Sequence, residues 1–81
     1  MSKAFSSVTQ LTLTGGRTVK VWRAESGLLK EYEHKDVIGH AIMSSALPMN
    51  KLAETIFTNL KNVTAVEVID GTGNGVRIEK Q

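Results

Sequence analysis

The sequence predicts an α+β domain in which an antiparallel sheet, built from N-terminal strands and a C-terminal hairpin, carries two consecutive helices on one face. Three observations predict it. Residues 8–25 alternate apolar and polar with period two, residues 52–60 carry an apolar stripe at helical spacing, and residues 63–80 fold back in a register that satisfies two faces at once.

The elements follow in order. In residues 8–14, Leu11 and Leu13 alternate with Gln10, Thr12 and Thr14, the pattern of a half-buried strand. Residues 18–25 repeat it, with Val19 and Val21 set against Thr18, Lys20 and Trp22. The loop between them sets the register. A two-residue Gly15-Gly16 loop would put the two apolar sets on opposite faces, whereas a three-residue Gly15-Gly16-Arg17 loop sets Leu13 opposite Val19 and Leu11 opposite Val21. The second register is expected. Residues 28–35 read either as a helix, with Glu31 and Lys35 spaced as an i,i+4 pair, or as a third, edge strand after a Ser26-Gly27 turn. The strand is the expectation, because the charges do not separate from Leu28, Leu29 and Tyr32.

Asp36 then reads as the N-cap of a helix over residues 36–47, with Val37, Ile38, Ala41 and Ile42 on one face. Leu47-Pro48 ends it, and Pro48 suits the first turn of a second helix over residues 48–61. There Leu52, Ala53, Ile56, Phe57 and Leu60 form the clearest apolar stripe in the chain, expected to lie against the sheet with Leu11, Leu13, Val19 and Val21. Finally, a Gly71-Thr72-Gly73 loop lets Val66 and Val68 meet Val76 and Ile78 while Glu67 falls across from Arg77.

At 81 residues a single domain, 1–81, is expected. The charged fraction of 22 % with 41 % apolar residues excludes a disordered chain. With no cysteine there is no disulfide framework and no thiolate metal site. Residues 1–7 lack the apolar run of a secretory signal, and no stretch approaches the roughly twenty apolar residues of a membrane span, so a cytoplasmic protein without a membrane role is expected. A net charge of +2, with the basic residues scattered, permits nucleic-acid contact without requiring it.

Chemistry-bearing patterns are few. Gly71-Thr72-Gly73-Asn74-Gly75 is followed by a strand and not by a helix N-terminus, which makes it a hairpin turn and not a phosphate loop. His34 and His40, beside Glu33 and Asp36, are six residues apart, not the i,i+4 spacing that aims two imidazoles at one ion. Ser44 and Ser45 have no candidate base near them in the sequence. No catalytic residue, metal or cofactor is expected.

Trp22 stands apart. If Val19 and Val21 point inward, Trp22 points to the other face beside Lys20 and Thr18, with Gln10, Thr12 and Thr14 on the neighbouring strand. Trp22, Lys20, Thr12, Gln10 and Thr18 then form a candidate partner-binding surface, and Arg17, Lys20 and Arg23 are candidate phosphate contacts. The competing reading is that a helix or the Tyr32 segment covers the indole.

Residues 52–60 running into 63–70, Gly71-Thr72-Gly73 and 76–80 give a layout that resembles compact accessory proteins of phages and plasmids, such as lysogeny corepressors and anti-defence inhibitors. The resemblance is one of size and layout, contains no diagnostic motif and carries over no functional residue. It implies a non-enzymatic protein–protein modulator, most concretely a corepressor that docks on a larger, DNA-bound repressor and stabilises its DNA complex. The alternatives are an anti-defence inhibitor that blocks a host complex, or a small single-stranded nucleic-acid-binding protein.

Overall fold

The computed structural model describes residues 6–24 and 30–80, and the side chains of residues 8–24 and 35–80. The order is β1 (Ser6–Thr12), β2 (Thr18–Ala24), α1 (Lys30–Met43), α2 (Met49–Asn59), β3 (Val63–Ile69) and β4 (Gly75–Glu79). The strands form one four-stranded antiparallel sheet in the order β1-β2-β3-β4, with both helices inserted between its two central strands. This is the α+β architecture the sequence predicts.

Both outer hairpins use the same loop. In the first, the Leu13 N–H donates to the Arg17 carbonyl (2.7 Å) and the Gly16 N–H to the Leu13 carbonyl (2.9 Å), with Gly16 at φ +90°. In the second, Asp70 and Asn74 close the loop in the same way and Gly73 sits at φ +94°. Each loop places a glycine at the one position whose left-handed backbone an L side chain disfavours. The β3–β4 register is the one expected: Val66 opposite Ile78, Glu67 opposite Arg77, Val68 opposite Val76.

The β1–β2 register differs from expectation. The three-residue loop is Thr14-Gly15-Gly16, one position earlier, so Leu11 faces Val19 and Thr9 faces Val21. Centring the loop on Gly15-Gly16-Arg17 would have forced Arg17 into the left-handed position that Gly16 occupies. The shift is by two residues, so each side chain keeps its face.

The helical half contains the main correction. Residues 30–35 are the first turns of α1 and not an edge strand, so Asp36 lies inside the helix and does not cap it. Residues 25–29, where the Ser26-Gly27 turn was expected, lie outside the described residues. Val37 and Ala41 are buried, but Ile38 and Ile42 are exposed, which splits the apolar face expected of this helix. α2 begins one residue later than expected, with Pro48 as its N-cap in extended conformation and its carbonyl accepting from the Leu52 N–H (2.8 Å).

The core lies between the helices and one sheet face. Leu52, Ala53 and Ile56 of α2 pack with Leu13, Val19, Val21, Val63, Val66 and Val68, joined by Val37 and Ala41 of α1; Leu11 and Phe57 are partly buried at its margin. A β-bulge shapes one end. Trp22 pairs with Ala65 but Arg23 pairs with Val63, leaving Thr64 as the extra residue. The bulge returns Val63 to the core face, and Thr64 Oγ1 donates to the Trp22 carbonyl (3.2 Å). None of the described helices is long and apolar enough to cross a membrane.

The open sheet face around Trp22

No described helix covers the second face of the sheet. The pairing registers lay its side chains out in three rows across the strands. Val8, Trp22, Ala65 and Glu79 form the first; Gln10, Lys20, Glu67 and Arg77 the second; Thr12, Thr18, Ile69 and Gly75 the third. All five residues expected at a partner surface, Trp22, Lys20, Thr12, Gln10 and Thr18, therefore share this face. They do not form one cluster. Trp22 and Thr12 sit in the outer rows, about 13 Å apart along the strands.

Trp22 is half-buried. Among the described residues its cover is Arg77 of β4, with the guanidinium carbon 4.6 Å from the ring centroid, and the Tyr32 side chain expected as an alternative cover lies outside those described. Ala65 lies between Trp22 and Glu79 in the ladder and is buried, so this small side chain makes the floor over which indole and guanidinium meet. Such a stack contributes about 0.5–1 kcal/mol at an exposed position. Arg77 also pairs with Glu67 (Nη1–Oε2 3.8 Å) and donates from Nε to Glu79. The middle of the face is thus charge-balanced, with Lys20 and Arg77 against Glu67 and Glu79.

The expected phosphate contacts are drawn inward. Arg17 donates from Nη1 to the Ser45 carbonyl (3.3 Å) and to the Leu47 carbonyl, tying the first hairpin loop to the α1–α2 connection. Arg23 is only 4 % exposed, and its Nε and Nη2 both donate to the Lys61 carbonyl (3.1 and 2.8 Å). It pins the turn after α2 against the end of β2, and the Ala24 N–H adds a bond to the Asn62 carbonyl (2.8 Å). Arg17 and Arg23 thus act as internal ties. Of the three, Lys20 alone remains on the open face, directly across from Glu67.

Arg77 is the member of the site that the sequence pattern missed. Its pairing with Glu67 is legible in the hairpin, but its contact with Trp22 depends on β2 and β3 being neighbours. Elsewhere, His40 donates from Nδ1 to the Asp36 carbonyl of its own helix (2.9 Å), and no group of three potential metal ligands converges among the described residues. The side chains of Glu33 and His34 lie outside those described. Ser44 is buried and Ser45 exposed. Asp70 Oδ1 accepts from the Thr72 hydroxyl (2.6 Å), the Thr72 N–H (2.8 Å) and the Asn74 N–H (3.1 Å). These bonds, the hydroxyl's first, hold its carboxyl below the usual aspartate range against a small opposing effect of desolvation. Comparison of the chain with protein-family models, curated protein sequences and solved structures finds no match, and the reading of the site rests on its own residues.

Proposed function

We propose that this chain is a non-enzymatic protein–protein modulator that docks through the helix-free face of its sheet, with Trp22 and Arg77 as anchors. The observation that carries the reading is the Trp22–Arg77 stack on a face that no described helix covers. Trp and Arg are the residue types that most often dominate interface energetics. The charge balance around them favours a mixed protein surface over a phosphate backbone. Direct single-strand binding through Trp22 has less support, because Arg77 already lies over the indole ring that would stack a base.

The most concrete form is a corepressor of the phage type, docked on a repressor that is itself on DNA. The net charge of +2 suits work close to phosphates without sequence readout. An anti-defence inhibitor would use the same face on a different target.

The test is a pull-down with tagged protein, with and without nuclease, in parent and Trp22→Ala forms. The expected result is a protein partner that survives nuclease and is lost with Trp22→Ala, whose affinity falls by about 2 kcal/mol, roughly thirtyfold. Loss of every partner on nuclease treatment would replace docking with nucleic-acid binding. Equal recovery by both forms would remove Trp22 from the interface.

A further inference from the structure

The two edges of the sheet are not alike. β4 is five residues long, carries Arg77 and Glu79, and runs into Lys80. Charged side chains on a short strand blunt an edge against pairing with another chain. β1 is seven residues long, has no charged residue and no proline, and pairs with β2 without a bulge. Its outer edge has no partner strand among the described residues. The Leu13-to-Arg17 hydrogen bond fixes which backbone groups face that edge. Hydrogen-bonded and non-hydrogen-bonded pairs alternate along an antiparallel ladder. Leu11 and Thr9 are therefore bonded to β2, while the N–H and C=O groups of Thr12, Gln10, Val8 and Ser6 point outward.

A second unpartnered surface lies on the same flank. α1 packs over β1, whereas α2 packs over β3 and β4. On α1 and the turn after it, Ile38, Ile42, Met43 and Leu47 are exposed, Ile42 by 58 % and Met43 by 86 %. Residues 37–50 contain no Asp, Glu, Lys or Arg. On β1 itself Val8 is a large apolar side chain outside the core, 46 % exposed.

We infer that the β1 edge and the exposed side of α1 form a self-association surface, on which a second copy of this chain pairs its β1 antiparallel to the first with Val8 opposite Val8 across a two-fold axis. In a two-fold contact residue i of one copy meets residue j of the other and j meets i, so an uncharged strip brings no like charges together in any register. β1 and residues 37–50 are both uncharged, and one contact covers both because α1 lies above β1. The register about Val8 sets Ser6 against Gln10 and joins outward-pointing N–H and C=O groups. It keeps Thr9 and Leu11 on the helix side of an enlarged sheet. The exposed Val8 gains its own symmetry mate as a cross-strand neighbour. Trp22 and Arg77 stay on the open face, so the pairing is independent of the docking reading.

Molar mass by light scattering across a dilution series, on the full chain, is the first measurement. The parent is expected to be a dimer that dissociates on dilution, and both Val8→Lys and Ile42→Glu to weaken it at least tenfold. Both positions are exposed, so the circular dichroism and melting of each folded protomer should persist. The chain has no cysteine, which gives a second readout that needs no charge: Val8→Cys should cross-link into covalent dimers on mild oxidation, and Glu79→Cys on the opposite edge should not. A parent that is monomeric at every concentration overturns the inference. So does a dimer indifferent to both charged variants, or one that cross-links through Glu79→Cys and not through Val8→Cys.

Discussion

Replacing Arg23 with methionine keeps the apolar stem and removes the guanidinium whose Nε and Nη2 converge on the Lys61 carbonyl. At 4 % exposure, water does not take over that contact. A hydrogen bond from a charged donor contributes about 1.5–3 kcal/mol. The two donors share one acceptor, so they count as one strong contact, and losing that contact is expected to cost about 1.5–3 kcal/mol. For a domain of this size the total stability is about 4–12 kcal/mol. The loss corresponds to a fall in Tm of at least ~6 °C. Thermal and urea denaturation read it directly. Arg23→Lys should fall between parent and Arg23→Met, because an ammonium cannot present two coplanar donors to one oxygen. Lys20→Met, on the open face, should stay within about 0.5 kcal/mol of the parent. An Arg23→Met protein that melts within a few degrees of the parent would refute the internal-tie reasoning and return Arg23 to the surface.

Other substitutions test the core, the ladder and the second hairpin loop. Ile56→Ala, at a fully buried position in α2, should lose about 2–5 kcal/mol in a urea titration. Gly75→Ala should lose about 1–3 kcal/mol, because the added methyl would stand 2.8 Å from the Val68 carbonyl oxygen and 3.1 Å from Ile69 Cγ1. Asp70, with its pKa lowered in the folded state, contributes stability above the unfolded value of about 3.9 that is lost as pH falls through the folded value. Below about pH 4 the parent's urea midpoint should therefore fall more steeply than that of Asp70→Asn.

How far the sequence could be read depended on how many constraints fell within one hairpin. Val66, Val68, Val76 and Ile78 on one face and Glu67 with Arg77 on the other admit a single register, and the structure has it. Leu11, Leu13, Val19 and Val21 constrain one face only. A shift of two residues leaves such a pattern unchanged, and only the backbone of Gly16 chooses between the registers. Residues 30–35 failed for a different reason. Charges interleaved with apolar residues do not distinguish a helix turn from an edge strand. Arg23 shares the parity of Val19 and Val21, so its inward direction was legible. The Lys61 acceptor was not, because it lies 38 residues away and reaches Arg23 only once β2 and β3 are neighbours. The candidate site was legible to the same extent. The alternation placed Trp22 on the open face, but the Arg77 stack required knowing which strands are neighbours.

The insertion of both helices between the central strands also orders the events of folding. Each outer hairpin closes over a short loop, with Asp70 and Asn74 only four residues apart. The central ladder joins residues from 40 positions apart, at Arg23 and Val63, to 51 apart, at Thr18 and Ile69. Loop-closure entropy grows with the logarithm of length, so the first central contact costs about 2 kcal/mol more than closing a hairpin. The two hairpins and α2 are local structures that can form early, and the chain then waits for β2 to find β3. Non-local pairing of this kind slows folding. Weakening the central ladder, for example with Val66→Ala, would show chiefly as slower refolding in stopped-flow experiments. A change confined to the unfolding rate would move that ladder to after the transition state.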